Sequence, residues 1–132
     1  MGRRSGVICR ECGTRFDVDE GGGFFFDLLH CDTCGGTCSV GHQELGDIHL
    51  RYVKGLPGPY AVARSKMDRQ IQQEYGGKPL TRAEYHAAAE ATLEPCTCGG
   101  SYRYDARPRC PGCRSTQEHW DVDPDGVMVM YD

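Results

Sequence analysis

The stretch Cys9-Arg10-Glu11-Cys12-Gly13 sets the pattern on which the whole chain is built. Two cysteines at this spacing, followed by glycine, bring both thiolates to one side of a tight turn. Close cysteine pairs, with one or two residues between the partners, occur four times. The pairs are Cys9 and Cys12, Cys31 and Cys34, Cys96 and Cys98, and Cys110 and Cys113. Because two such turns complete a tetrahedral set of four sulfur ligands, the pattern predicts two structural Zn²⁺ sites.

The size of the chain limits what burial alone can stabilise. It has 132 residues, 18 of them glycine, and only 9% are aromatic. Each predicted metal-binding unit holds about 20 to 30 residues, fewer than the roughly 40 below which an apolar core seldom suffices. Structural zinc contributes on the order of 10 to 16 kcal/mol in small fingers, as much as the stability of a whole domain. We therefore expect a small metal-stabilised α+β protein.

Disulfides and redox-active dithiols are the alternative uses of the nine cysteines. Residues 1–13 include arginines but no apolar run of signal-peptide length, so we predict a reducing, cytoplasmic location. The close pairing and the odd total also favour metal. Iron in a rubredoxin-like site fits the same thiolates, although zinc is the predicted ion. No stretch approaches the roughly 18 apolar residues of a membrane span, and we expect no membrane partner.

The predicted ligand sets join pairs that are neighbours in sequence. One set is Cys9, Cys12, Cys31 and Cys34, and the other is Cys96, Cys98, Cys110 and Cys113. Joining the first pair to the third would lengthen the closed loops at a cost of only about 1 kcal/mol, so local topology rather than energy favours the sequential choice. Both sets fill all four positions with protein ligands, as structural zinc sites do, and leave none for a substrate.

A cysteine knuckle, a hairpin and a second knuckle frame residues 7–40 and residues 94–115. In the first segment, a strand-like run, a glycine-rich turn at 19–23 and an apolar run at 24–29 separate the two pairs. This arrangement resembles the zinc-ribbon proteins as a broad class. The resemblance implies two zinc ribbons, each a β-hairpin with cysteine knuckles.

The middle of the chain is predicted to be helical. Apolar residues alternate over 48–52, which indicates a short strand before a Pro/Gly cluster. Apolar side chains recur every four residues from 60 to 75, and Thr81 followed by Glu84 forms a capping box that opens a second helix. The predicted division is an N-terminal ribbon (1–45), a linker with a short strand (46–60), a helical pair (61–94) and a C-terminal ribbon with an acidic hairpin (95–132).

Cys38 is the ninth cysteine and lies outside the four pairs. An alternative ligand set of Cys38, His42 and the second pair would leave the first pair without partners. A nucleophilic thiol would need a base held beside it. The candidate bases, near only in sequence, are His30, His42 and His49. With no activating partner identified, we predict a free thiol, no enzymatic activity and no small-molecule substrate.

Residues 121–132 match much of the calcium-loop pattern, with aspartate at positions 121, 123, 125 and 132. No helix is predicted to enter this segment, and Pro124 favours a turn. A solvated hairpin turn at 123–126 is therefore the predicted structure, with calcium binding as the alternative.

The charge distribution separates two functional predictions. The net charge is −4, yet residues 95–114 are basic and aromatic. Their relevant side chains are Tyr102, Arg103, Tyr104, Arg107, Arg109 and Arg114. That composition suits RNA or DNA, whereas the five acidic residues of 115–132 would repel phosphate.

The phenylalanines at 24–26 and the apolar side chains of Trp120, Val127, Val129 and Tyr131 either pack internally or present a surface to a partner. The leading prediction is a non-enzymatic zinc-binding protein-interaction module, such as an inhibitor, an immunity or antitoxin-like protein, or a regulatory adaptor. The alternative is nucleic-acid binding through the basic C-terminal ribbon.

Overall fold

A computed structural model describes residues 2–132, in which two small antiparallel sheets and four helices are formed. The strands are β1 (Gly2–Cys9), β2 (Arg15–Glu20), β3 (Phe26–Cys31), β4 (Thr37–Gly41), β5 (Tyr102–Arg103), β6 (Trp120–Val122) and β7 (Met128–Tyr131). The helices are α1 (His42–Leu45), α2 (Asp47–Lys54), α3 (Ser65–Glu74) and α4 (Arg82–Ala91). The small α+β class is confirmed. None of the helices in this described part has the length and hydropathy needed to cross a membrane.

The first sheet is organised around β1, which pairs with β2 on one edge and with both β6 and β7 on the other. The predicted C-terminal hairpin is wrong, because β6 and β7 follow one another along the same edge of β1. The turn at 123–126 loops out opposite Gly6, which accepts a hydrogen bond from Asp123 N and donates one to Val127 O. A Cβ on Gly6 would lie 2.9 Å from Gly126 Cα, so this close backbone approach requires glycine.

The second sheet has β3 at its centre, between β4 and β5. The predicted hairpin between residues 14–18 and 24–29 is therefore wrong, because β2 and β3 belong to different sheets. β2 uses its full length to pair with β1, and the chain then crosses at 21–25 to start β3. Each sheet consequently combines strands from both ends of the chain. The division at residues 45, 60 and 94 into separate domains stays a prediction.

Helix α2 occupies the segment where a short strand was expected, and that expectation is wrong. Its buried side chains are His49 and Val53, four residues apart, so the burial period is helical. α2 packs on both α3 and α4. The predicted helical pair is thus part of a three-helix group built around α2. The capping box of Thr81 and Glu84 at the start of α4 is confirmed.

The apolar core lies between the second sheet and the helices. Its buried residues are Leu29, Val40, Leu45, Tyr85 and Ala89. By contrast, β6 and β7 of the first sheet expose most of their apolar side chains. The second sheet therefore has a hydrophobic core of its own, whereas the first has little more than its cysteines.

Candidate metal centres and a buried polar network

The eight paired cysteines come together in two clusters that could each hold a metal ion. The outer cluster is Cys9, Cys12, Cys110 and Cys113, and the inner cluster is Cys31, Cys34, Cys96 and Cys98. Within each cluster the four Sγ atoms lie within 4.8 Å of one another. The sequential ligand sets are therefore wrong. The first pair joins the fourth and the second joins the third, so the inner cluster is nested inside the outer one along the chain.

Strand pairing explains the nested arrangement. Cys9 ends β1 opposite Trp120, and Cys31 ends β3 opposite Tyr102, so each pairing brings two knuckles side by side. Residues 98 positions apart meet in the outer cluster. Because loop-closure entropy grows only logarithmically, replacing the short loops with such long ones costs between about 1 and 2 kcal/mol. The backbone hydrogen bonds of the paired strands offset a penalty of that size.

The sulfur separations fit four thiolates around one ion. A tetrahedral site with Zn–S bonds of about 2.3 Å requires sulfur atoms about 3.8 Å apart. The distances between Sγ atoms of opposite pairs are 3.6 Å for Cys9 and Cys113, and 3.7 Å for Cys34 and Cys96. A disulfide would need about 2.05 Å, and all nine cysteines are free. Both clusters could therefore hold metal, and neither contains a disulfide.

The knuckle backbones direct N–H groups at the sulfurs. Gly36 N donates to Cys34 Sγ, and Gly112 N donates to Cys110 Sγ, each at 3.4 Å. Gly35 follows Cys34 with a φ of 74°, a left-handed conformation that glycine adopts without strain. These donors stabilise sulfur in its anionic form, which is the form that binds metal.

Hydrogen bonding also lowers the pKa of individual thiols. The backbone N–H of Cys98 and the hydroxyl of Tyr102 lower the pKa of Cys96 to about 6. For Cys9, burial opposes ionisation, but hydrogen bonds from Ser115 and from nearby backbone N–H groups outweigh it and bring the pKa to about 6. Cys96 in the inner cluster and Cys9 in the outer cluster therefore ionise near neutral pH, which favours metal binding.

The two clusters are in direct structural contact. A Cβ placed on Gly35, in the inner cluster's knuckle, would lie 2.3 Å from the backbone nitrogen of Arg109. Arg109 immediately precedes Cys110 of the outer cluster. The second cysteine knuckle therefore packs against the segment that immediately precedes Cys110 of the outer cluster.

A buried polar network, which we define as Asp27, His42, His49, Arg64 and Asp68 with the tyrosines around them, lies beside the apolar core. The Asp27 carboxylate is its centre. It accepts hydrogen bonds from His42 Nε2 at 2.9 Å, from Tyr104 Oη at 2.7 Å, and from the hydroxyls of Tyr60 and Tyr85. Burial opposes ionisation of Asp27, but these donors outweigh it and hold its pKa well below its usual range.

Arg64 joins the two histidines. Its Nη1 donates to His42 Nδ1 at 3.0 Å and to Phe24 O at 2.8 Å, and lies 3.4 Å from His49 Nε2. The imidazole rings of His42 and His49 stack with their centroids 3.8 Å apart. Burial, followed by the nearby His42 and Arg64, lowers the pKa of His49 to about 3. His49 is therefore a neutral ring at physiological pH.

Most of this network was missed by reasoning from the sequence. The predicted apolar stripe of α3 is wrong, because Met67 is 46% exposed. The buried residues are Asp68, on α3, and Arg64, which immediately precedes the helix. The signal that could have revealed it is the i, i+4 spacing of a cation and an anion at these two positions. His42 and His49 were noted only as candidate bases, and the structure joins them to Asp27 and Arg64.

Cys38 stands apart from both clusters. It lies on β4, and burial, together with Glu44 and Cys96, raises the pKa of its thiol. A nucleophilic cysteine needs the opposite shift. Among the described residues, no metal-binding group combines Cys38 with His42.

Two of the six side chains named in the nucleic-acid prediction, Tyr104 and Arg103, have partners within the molecule. Tyr104 donates to Asp27 and stacks on His86 with the ring centroids 3.8 Å apart. Arg103 forms ion pairs with Glu90 and Asp32. These contacts leave Tyr104 unavailable for stacking on a base.

The segment that matches the calcium-loop pattern is flanked by strands. β6 precedes the turn at 123–126 and β7 follows it, and Arg15 pairs with the carboxylates of Asp123 and Asp125. An EF-hand loop joins two helices instead. The observed surroundings therefore match the predicted solvated turn, although not the predicted hairpin.

Comparisons with known proteins give a family and no named relative. No curated protein matches the chain, and no solved structure does. A family model described as a domain of unknown function (DUF8255) matches residues 5–119. That span includes both cysteine clusters and the whole buried polar network. The chain therefore belongs to the DUF8255 family.

Proposed function

We propose that the protein is a non-enzymatic zinc-binding module that presents a rigid surface to a protein partner. The observation that carries the proposal is the pair of clusters, each with four thiolates drawn from both halves of the chain. Zinc bound there would supply cross-links between strands that little apolar burial holds together. Four protein ligands per ion leave no open position for a substrate, which supports a structural role. Free thiols also suit a reducing compartment such as the cytoplasm.

An apolar edge supports a protein partner. We use this name for Val122 and residues 127–130, which lie on β6, on β7 and between them. Met128 is 65% exposed and Met130 is 58% exposed, and they are two residues apart on β7. β7 pairs only with β1 among the described strands, so its other edge has unpaired backbone groups. Exposed apolar side chains beside an unpaired strand edge suit addition of a strand from another protein.

The contacts of the basic segment support the nucleic-acid alternative less well than the apolar edge supports a protein partner. Of its side chains, Tyr104 and Arg103 already have partners inside the protein. The net charge of −4 also opposes the approach of a phosphate backbone.

The test is affinity capture from the native host with three forms of the tagged chain, each with and without nuclease treatment. The forms are wild type, the double variant Met128→Asp and Met130→Asp, and the control Val62→Asp, whose native side chain is 88% exposed on a different part of the surface. We expect two zinc ions per wild-type chain by elemental analysis. We also expect a protein that resists nuclease, is kept by the control and is lost by the double variant.

Three results would contradict the proposal. Absence of tightly bound zinc removes its basis. A partner that disappears on nuclease treatment supports the nucleic-acid alternative. A partner that the double variant captures as well as wild type shows that the apolar edge is not the surface used.

A further inference from the structure

A pocket of about 590 Å³ opens beside the buried polar network and has no role in either cysteine cluster or in the apolar edge. Its floor is formed by His42, His49 and Arg64. Its rim includes the apolar side chains Phe25, Leu50, Met67 and Ile71. The volume lies within the range of roughly 300 to 1,000 Å³ that is usual for small-molecule sites. An apolar rim above a polar floor is also the usual composition of such a site.

Arg64 places a positive charge in the floor of the pocket, and one of its hydrogen-bond donors is unused. Its Nη1 lies within hydrogen-bond distance of Phe24 O, His42 Nδ1 and His49 Nε2. Its Nη2 lies 3.5 Å from Asp68 Oδ1. Its buried Nε has no acceptor within the described chain. A buried donor without a partner is destabilising, so a ligand oxygen that reaches this guanidinium would recover stabilisation.

Each carboxylate of the network accepts hydrogen bonds, although Asp68 Oδ1, which lies 3.5 Å from Arg64 Nη2, has no hydrogen-bond partner among the described residues. Asp27 accepts hydrogen bonds from four side chains, and Asp68 accepts from the backbone nitrogens of Tyr60 and Ala61. Neither carboxylate lines the pocket, whereas Arg64 does. Among the charged residues that line the pocket, Arg64 is buried, whereas Glu44 is exposed and accepts a hydrogen bond from Gly41 N.

The rim of the pocket has exposed apolar side chains. Phe25 is 61% exposed, and its ring centroid lies 5.3 Å from Arg64 Cζ. Met67 projects from α3 on the same rim. An apolar tail bound here would cover both side chains, at about 25 cal/mol for each Å² removed from water.

If the buried polar network had only a structural role, that role would be to hold α1, α2 and α3 against β3. That role accounts for the contacts of Asp27 and His42. It does not require an open apolar mouth above the histidines, nor an arginine whose Nε lacks an acceptor. Both features point to a ligand with an apolar body and an oxygen-rich head.

We propose that this pocket binds a small amphiphilic carboxylate, whose head accepts hydrogen bonds from Arg64 and whose tail packs on Phe25, Met67 and Ile71. The sequence predicted no small-molecule substrate. The ligand inferred here is bound rather than transformed, so the site is independent of the zinc and partner roles.

The test is titration of the zinc-loaded protein with octanoate and with octanol, which share a tail and differ in the head group. Amide NMR shifts give both the affinity and the location. We expect saturable octanoate binding with shifts at residues 42–50 and 64–71, and an affinity at least about tenfold above that of octanol because only octanoate carries a charge for Arg64.

Two variants make the test specific to the pocket. Met67→Glu places a like charge at the rim on a partly exposed position, and we expect it to weaken octanoate binding at least about tenfold while octanol changes much less. Ala83→Glu adds the same charge at an exposed position of α4, outside the pocket, and should leave both affinities unchanged. Bound zinc, measured for every variant, confirms that the fold is retained.

The proposal is overturned if wild type shows no saturable octanoate binding, or if octanoate and octanol bind equally well. It is also overturned if a zinc-loaded Met67→Glu variant binds octanoate as tightly as wild type does.

Discussion

The two sheets are stabilised in different ways. The first sheet exposes most of the apolar residues of β6 and β7 and ends in the outer cluster. The second sheet packs Leu29 and Val40 against the helices, and it also buries Asp27 and its partners. The first sheet therefore depends on its cysteine cluster, whereas the second sheet combines the inner cluster with an apolar core that can support a costly polar network. Three predictions test this contrast.

The largest effect is expected from removing ligands in matched pairs. In the double variant Cys12→Ser and Cys113→Ser both changes fall in the outer cluster, so we predict loss of one ion and retention of the other. Structural zinc contributes on the order of 10 kcal/mol, so the first sheet should lose its protection from hydrogen exchange while the second keeps it. Elemental analysis and hydrogen exchange provide the measurements.

The double variant Cys12→Ser and Cys98→Ser is the counterpart, because it takes one ligand from each cluster and should lose both ions. Cys38→Ser is the control and should retain both. Loss of both ions from the Cys12 and Cys113 double variant would contradict the nested arrangement, in which the two cysteines share one cluster.

An intermediate effect is expected at the centre of the polar network. Asp27→Asn keeps the shape of the side chain but removes the charge that accepts four hydrogen bonds, and its amide would face hydroxyl donors. We predict a loss of about 2 to 4 kcal/mol in the free energy of unfolding, with both ions retained. Denaturant unfolding of the zinc-loaded protein measures it.

Asp17→Asn on the exposed face of β2 is the matched control and should change stability by less than about 0.5 kcal/mol. If Asp27→Asn were equally mild, the carboxylate network would contribute little to the stability of the second sheet.

The smallest effect concerns the start of α4. Thr81 Oγ1 accepts a hydrogen bond from Glu84 N, and the Glu84 carboxylate accepts one from Thr81 N. Thr81→Ala removes half of this capping box and should cost about 1 kcal/mol. Gln73→Ala on exposed α3 serves as the control, and thermal unfolding is the measurement. Equal melting temperatures for the two variants would show that the cap contributes nothing measurable.

The chemistry of the cysteines could be predicted from sequence because it is local. A knuckle needs two thiolates and a glycine within a few residues, and all of these are adjacent in the chain. The pairing of the knuckles could not be predicted in the same way, because it is decided by strand pairing. Loop length favours one pairing over another only weakly. Cys9 and Cys31 are ligands that sequence identifies, but their partners depend on the positions of β6 and β5.

The polar network could not be predicted for a related reason. Periodicity analysis assumes that the apolar face of a helix points inward. On α3 that rule selected Met67, whereas the buried residue is Asp68, which lies beside Arg64. The partners that make this burial tolerable come from β3, α1 and α2, so no single window of sequence contains the compensation.

The nested ligand order has a consequence for the making of the protein. Translation releases Cys9, Cys12, Cys31 and Cys34 well before the remaining ligands, because a ribosome delivers the chain from its N-terminal end. A nascent chain therefore holds four thiols of a non-native tetrahedral set while both native sets are incomplete. If the clusters bind the proposed zinc, the native sets form only when metal arrives late or when an early ion moves from one set of sulfurs to the other.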